Sequence, residues 1–365
     1  MASARTLWVG TRKGLFVATR LDDGWRLGAP RFPGEPVTQF LANPYDGAWH
    51  AALRLGHFGV KVWKCTDGAG ADWKEVAAPA FPPKPTEGEW KDDTMPWTVD
   101  QVWSLAASPD GRLWAGCLPA GLFTSRDGGA SWQLVESLWL RPERKLWFGG
   151  GYDWPGIHSI LVDPRDSSHV TIAISCGGVW QTRDGGKTWD NTSSGMFADF
   201  MPPERREDPN IQDVHCLAQC GAQPDALWCQ HHGGIFRSTN GGERWEAIAS
   251  PQPSGFGFPV VAHPADPERA WFAPAHSDAQ RMPVDGRMVV TQTRDGGATF
   301  TVHGEGLPQQ DAFHLVYRHA LVADSTGETL AMGSTTGGLW ISEDAGGTWR
   351  CLSRDLPPIA VLRLG

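Results

Sequence analysis

Three histidines recur at one position of an internal repeat. His158, His215 and His319 each stand at the entry of an apolar run, in IHSILVDP, VHCLAQC and RHALVAD, where other copies carry Thr38, Trp103 and Phe258. With 12 His in 365 residues, three in one register is a concentration. Neutral imidazoles converging from separate strands suit a divalent metal such as zinc, manganese or iron. A metal with three protein ligands keeps an open position where bound water becomes nucleophilic near neutral pH, so the pattern points to hydrolase or lyase chemistry. A His at the start of an inner strand also has two other uses: capping backbone groups or holding channel water, and acid–base work without a metal. All three uses fit the spacing.

A second register lies two residues before the Gly that opens the third strand of each repeat. It reads Arg12, His57, Pro119, Cys176, His232 and Thr336, with an insertion in the sixth copy that brings His276 and Asp278. His232 and His57 are expected to carry protons or add ligands, and Asp213, just before its inner strand, to orient an imidazole or act as a base. Arg12 is expected to hold an anionic substrate group. No phosphate-binding loop, dinucleotide fingerprint, HExxH pair or Gly-x-Ser-x-Gly elbow is present, so no nucleotide or flavin is expected.

Positioning these residues falls to a repeated cassette. SRDGGASW (125–132), TRDGGKTW (182–189), STNGGERW (238–245), TRDGGATF (293–300) and SEDAGGTW (342–349) share one frame, and weaker copies lie at 65–73 and 22–25. Asp or Asn takes backbone N–H groups just ahead, and the Gly residues supply the positive φ of a tight turn. β-rich runs flank each cassette, so every repeat gives four antiparallel strands, A to D, with the cassette between C and D. Seven radial copies predict an all-β fold, a single seven-bladed β-propeller spanning 1–365. The N-terminal copy, from TLWVGTRKGLFVAT, lacks an A strand and PPIAVLRLG at the C-terminus is a lone one, so the two ends should share the first blade.

Connections from D to the next A, and from B to C, meet on one face around the channel mouth. Residues 81–101, 137–156 and 193–213 are long D-to-A insertions, and such loops usually wall a site. They carry Trp90, Trp97, Trp139, Trp147 and Trp154, which can stack on a sugar or aromatic substrate or else pin the loops down.

The cassette matches S/T-x-D-x-G-x-T-W, and the chain resembles the BNR/Asp-box propellers through five good and two degraded boxes. That family includes sialidases, xyloglucan-cleaving hydrolases, sortilin-type receptors and photosystem II assembly factors. The resemblance implies the propeller fold and leaves two classes of function open: a hydrolase or lyase acting on a carbohydrate or small carboxylated compound, or a non-catalytic protein-binding assembly factor. Sialidase activity is not expected, because Trp8-Val9-Gly10-Thr11-Arg12 stands where that family's Arg-Ile-Pro signature would fall, and no arginine triad occupies equivalent repeat positions.

A net charge of −9 without a basic run argues against nucleic acid or an anionic membrane as partner and leaves small ligands, with proteins as the alternative. The seven Cys form no CxxC pair and suit reduced, buried thiols. MASARTLWVGTRKG has no apolar stretch of signal-peptide length, so a cytoplasmic location is expected.

Overall fold

A computed structural model of the chain describes residues 3–68 and 70–365; Ala69, inside the second cassette, lies outside them with Met1 and Ala2. The described residues form seven four-stranded antiparallel sheets arranged as propeller blades. The innermost strands of blades 2 to 7 are Val37–Ala42, Gln101–Ala107, Ile157–Asp163, Val214–Gln219, Gly257–Ala262 and Leu321–Ala323. Blade 1 is assembled from both ends of the chain, in the order Ile359–Leu364, Thr6–Thr11, Gly14–Leu21, Gly24–Leu27. Among the described residues, no helix is long and apolar enough to cross a membrane.

Closure is specified residue by residue. Leu7 pairs with Leu364, Val9 with Leu362 and Gly10 with Val361. The Gly365 carbonyl accepts from the N–H groups of Arg5 and Thr6, both at 2.9 Å. Gly10 is required by proximity: a Cβ there would lie 2.5 Å from Val361 Cγ1. Val361 and Leu362 are fully buried and Ile359 nearly so, and they join apolar clusters shared with blades 2 and 7.

The cassette turns follow one hydrogen-bond scheme. In blade 4, Thr182 Oγ1 donates to Asp184 Oδ1 (2.8 Å) and accepts from Gly186 N–H (2.9 Å), while Thr188 gives both its N–H and its hydroxyl to the Asp184 carboxylate. Blade 3 repeats this with Ser125, Asp127 and Ser131, and blade 6 with Thr293, Asp295 and Thr299. Blade 5 uses Asn240 in place of Asp, which shows that the turn needs an acceptor and not a charge. The closing rings Trp189, Trp245 and Trp349 are buried in the wedges between blades, and Trp245 Nε1 donates to the Thr192 carbonyl of the preceding blade at 3.0 Å.

The seventh inner strand is shorter than the run RHALVAD suggests. A turn closed by Ala320 N–H on the Tyr317 carbonyl (2.8 Å) replaces its first rungs, and His319 keeps one parallel bridge to Val361.

Two outcomes are expected. Leu362→Ala should cost about 2–5 kcal/mol in urea unfolding, because it opens a cavity at the closing strand. Hydrogen bonds from Ser131 hold the Asp127 carboxyl down at about 2, and those from Thr188 and Thr299 likewise lower Asp184 and Asp295. Carboxyls depressed on folding stabilise above the unfolded value near 3.8 and lose that contribution as pH falls through the folded one. Acid unfolding below about pH 4 should therefore flatten when all three become Asn, as in blade 5, measured by fluorescence across pH 2–6.

Candidate functional site

The inner-strand register stitches blades together. Thr38 Oγ1 donates to the Val102 carbonyl at 2.9 Å, His158 Nε2 to that of Val214 at 2.8 Å and His215 Nδ1 to that of Gly257 at 2.6 Å. Each bond runs to the inner strand of the next blade. His319 reaches across the channel instead, donating from Nε2 to the His158 carbonyl at 2.7 Å, with Nδ1 3.4 Å from Gln39 Nε2. His158 Nδ1 meets Ser159 Oγ at 2.9 Å. Burial pulls the His319 imidazole down to about 3, and burial with the nearby Arg318 charge holds His158 well below its ordinary value.

His158, His215 and His319 therefore do not gather around a common point. A carbonyl can only accept, so His158 and His319 must spend their Nε2–H groups on backbone, His158 on the next blade and His319 on the blade across the channel, and both are neutral. Among the described residues, the His, Cys, Asp or Glu group whose ligand atoms all lie within 4.8 Å is Asp213, His215 and His232. Of the three residues expected to hold a metal, only His215 lies in this group, beside Asp213 and His232, the residues expected to act as a base and a proton carrier.

The hairpin of blade 5 explains that grouping. Val214 pairs with His231, so the next step sets Asp213 beside His232, whose N–H donates to the Asp213 carbonyl at 2.9 Å. Asp213 Oδ2 then lies 3.2 Å from His232 Nδ1 and 3.5 Å from His215 Nε2. His215 donates from Nδ1 to Gly257, so its neutral form turns a lone pair toward the carboxylate. Two acceptors face each other there, and a proton or a metal cation must lie between them. Asp213 Oδ1 is buried without a hydrogen-bond partner. Burial works to raise the Asp213 carboxyl, but His215 charge and hydrogen bonds from His215 and His232 outweigh it and hold it well below the usual range. Burial works to lower His232, and Asp213 reverses this and raises it.

Beside this cluster opens a cavity of about 850 Å³ at the channel mouth. Arg12, Arg54, Arg281 and Arg318 line it, together with Trp103, Tyr152, Phe258 and Tyr317, and no Asp or Glu does. Phe258 joins cavity and cluster, since its ring stacks on His215 with centroids 4.6 Å apart. Gly150 lines the cavity as well, and a Cβ there would fall 2.8 Å from Asp213 Oδ1 and 3.0 Å from Cys176 Sγ. Burial, then Asp213, pushes the Cys176 thiol up, so it stays protonated.

The remaining expected residues divide. Arg12 is exposed on the cavity wall, where it can meet an anion. His57 is exposed on the turn of blade 2 with its ring against Phe58, three blades round the ring from Asp213, so it is not a partner of the cluster. Four of the five loop tryptophans pin the loops down, Trp147 by packing edge-on against Trp180. Trp90 and Trp139 hold the Arg144 guanidinium at 4.3 and 3.9 Å, Asp93 pairs with that guanidinium at 2.7 Å, and Trp97 donates to Asp93 at 2.8 Å. The aromatic residues that line the cavity are Trp103, Phe258, Tyr152 and Tyr317. Sequence reasoning missed Arg318, which sits beside His319 and was signalled by a charged residue inside an otherwise apolar inner run.

No family model matches the chain. An oligoxyloglucan-reducing end-specific xyloglucanase of Emericella nidulans is 32% identical over 89 residues, which is 24% of this chain and 10% of that protein. Among solved structures, an ancestral GH74 enzyme superposes with a TM-score of 0.59 at 16% identity, covering all of this chain and 40% of its own. YCF48 bound to a D1 peptide gives 0.52 at 14% identity, covering 86% of this chain and 80% of its own. YCF48 from Cyanidioschyzon merolae gives 0.53 at 12%, covering 88% and 87%. The chain thus spans a tenth of the curated relative and two fifths of the GH74 enzyme. At these identities the structures share the propeller fold alone.

In chelator-treated protein, NMR titration should place the His232 imidazole above its ordinary value of 6.5, and Asp213→Asn should lower it, because burial is then opposed only by the weaker charges of Asp278 and Asp199. A raised His stabilises fully below 6.5 and loses that contribution as pH rises through the folded value, so the wild type should lose stability relative to Asp213→Asn across that window.

Proposed function

We propose that the mouth is the active site of a metal-assisted hydrolase or lyase acting on a small compound, either a carbohydrate or a carboxylated molecule. The observation that carries this is the fixed tautomer of His215. Its Nδ1–H is held by the Gly257 carbonyl, as backbone carbonyls hold metal-binding imidazoles, and its Nε2 lone pair points at Asp213 Oδ2, the oxygen that His232 also meets. Two His and one carboxylate form a ligand set for iron, zinc or manganese with positions left open. A divalent ion there supplies a Lewis acid and an acidified water.

The chain's own groups supply the rest. His215 is oriented by Gly257 and packed on Phe258, so its ring cannot turn away. Asp213 Oδ1, buried without a hydrogen-bond partner next to cavity-lining Gly150, is the acceptor of the cluster still to be used. The aromatic walls exclude water and receive the substrate body.

Untagged protein, stripped and reconstituted separately with zinc, manganese and iron, should retain one of them stoichiometrically. Asp213→Asn and His215→Ala should each weaken binding at least about tenfold. A turnover screen on lactones, aryl esters and aryl glycosides should show activity that metal restores and Asp213→Asn lacks. Wild-type protein that holds no metal under any of the three conditions contradicts the proposal.

A protein-binding role has one observation in its favour. Phe58, Phe313, Tyr152 and Phe200 are 69%, 66%, 43% and 41% exposed, and all lie on connections of the mouth face. That rim suits an apolar partner segment. A stoichiometric protein complex lost in Phe58→Ser/Phe313→Ser, from a protein without turnover, would reverse the ranking.

A further inference from the structure

We propose that Arg318 is the anion-binding residue of this mouth and that its ligand is a small, ring-bearing organic monocarboxylate. This narrows the substrate class of the site proposed above and rests on the mouth being that site.

Arg318 is only 7% exposed, yet it lines the cavity. Its Nε and Nη2 are buried and find no acceptor, and no carboxylate lies within 4.0 Å of it among the described residues. The other fully buried arginine among the described residues, Arg144, and the half-buried Arg363 are provided for. Arg144 bonds the Trp139 carbonyl and Asp93, and Arg363 bonds the Leu362 carbonyl and Gln39 Oε1. An unpaired buried guanidinium carries a desolvation penalty, and it does not escape by losing its proton. A ligand oxyanion would remove that deficit.

The surroundings hold the group ready. The guanidinium carbon lies 4.7 Å from the Trp103 ring centroid and 5.4 Å from that of Phe258, so cation–π contact orients it without neutralising it. Two neighbouring charges are already satisfied, Arg54 by Asp100 at 2.8 Å and Arg281 by Asp278 at 2.6 Å. A single desolvated charge therefore faces the ligand at depth, with Arg12 exposed farther out. One buried positive charge matches a monoanion, whereas a dianion would bring an uncompensated charge between aromatic walls. A planar fork also fits the two oxygens of a carboxylate. The rings of Trp103, Tyr152, Phe258 and Tyr317 and the volume of about 850 Å³ call for a ligand with a ring to lay against them.

Calorimetric titration of the full chain with benzoate and glucuronate, against benzyl alcohol, methyl glucoside and inorganic phosphate, tests this. At least one carboxylate should bind about tenfold or more tightly than its neutral counterpart and than phosphate. Arg318→Met should abolish that preference and raise the melting temperature, since it removes an unpaired buried charge; a purely structural arginine would lower it. Arg318→Lys, which keeps the charge without the fork, should weaken the carboxylate about tenfold and serves if the Met variant does not fold. Equal binding of carboxylate and neutral counterpart, phosphate binding best, or full carboxylate affinity in the Arg318 variants overturns the proposal. Asp213→Asn should keep the carboxylate preference while losing metal. Carboxylate binding with no metal site sinks the metal assignment alone, and a metal site without carboxylate preference sinks this one alone.

Discussion

Pairing of the last strand with the first is the constraint on which the rest depends. A propeller left open between Thr6–Thr11 and its partner would expose a sheet edge and uncover Val361 and Leu362. Closure also sets the inner strands at fixed offsets, and only then does a side chain on one strand meet the carbonyl of the next. The contacts of Thr38, His158 and His215 are products of that geometry, as is the reach of Arg363 from the closing strand to Gln39 of blade 2. The channel is consequently filled by side chains, and the space for a ligand lies above the plug at the mouth.

Two charges at that mouth are buried and incompletely answered. Asp213 has two imidazoles on one oxygen and nothing on the other, and Arg318 has two rings beside it and no acceptor. They influence each other through space without touching, since Asp213 is the leading negative charge that works against the burial of Arg318. In a low-dielectric mouth such groups are strained until something binds, and a well-packed fold that keeps both has reason to hold them apart. Gly150 belongs to the same arrangement, because any side chain there would close the gap in front of Asp213 Oδ1.

Much of this was legible in the sequence because repetition amplifies weak signals. Seven cassettes and an orphan run at Pro357–Gly365 led to the seven closed blades, and the acceptor role of Asp127, Asp184 and Asp295 followed from turn chemistry. The histidine register was visible too, but a register gives a height and an azimuth in the ring and says nothing of which nitrogen meets which carbonyl. His158 and His319 are spent on backbone groups of other blades, which no local pattern encodes. Asp213 and His232 were nearer to being read together, since one hairpin sets them side by side. The sequence left the loop tryptophans open between stacking on a ligand and pinning the loops for a related reason: Arg144, the centre of the pinning cluster, lies in a different insertion from Trp90, Trp97 and Asp93. Arg318 escaped because its meaning lies in what it lacks, and a missing partner is seen only when the surroundings are in place.

The most direct test of the central claim is anomalous diffraction from crystals soaked separately with manganese, iron and zinc. A peak bonded to Asp213, His215 Nε2 and His232 Nδ1, with His215 Nδ1 still on the Gly257 carbonyl, is the predicted result. A metal-free cluster in all three soaks, with a proton shared between Asp213 and His215 as the only cation, would contradict it.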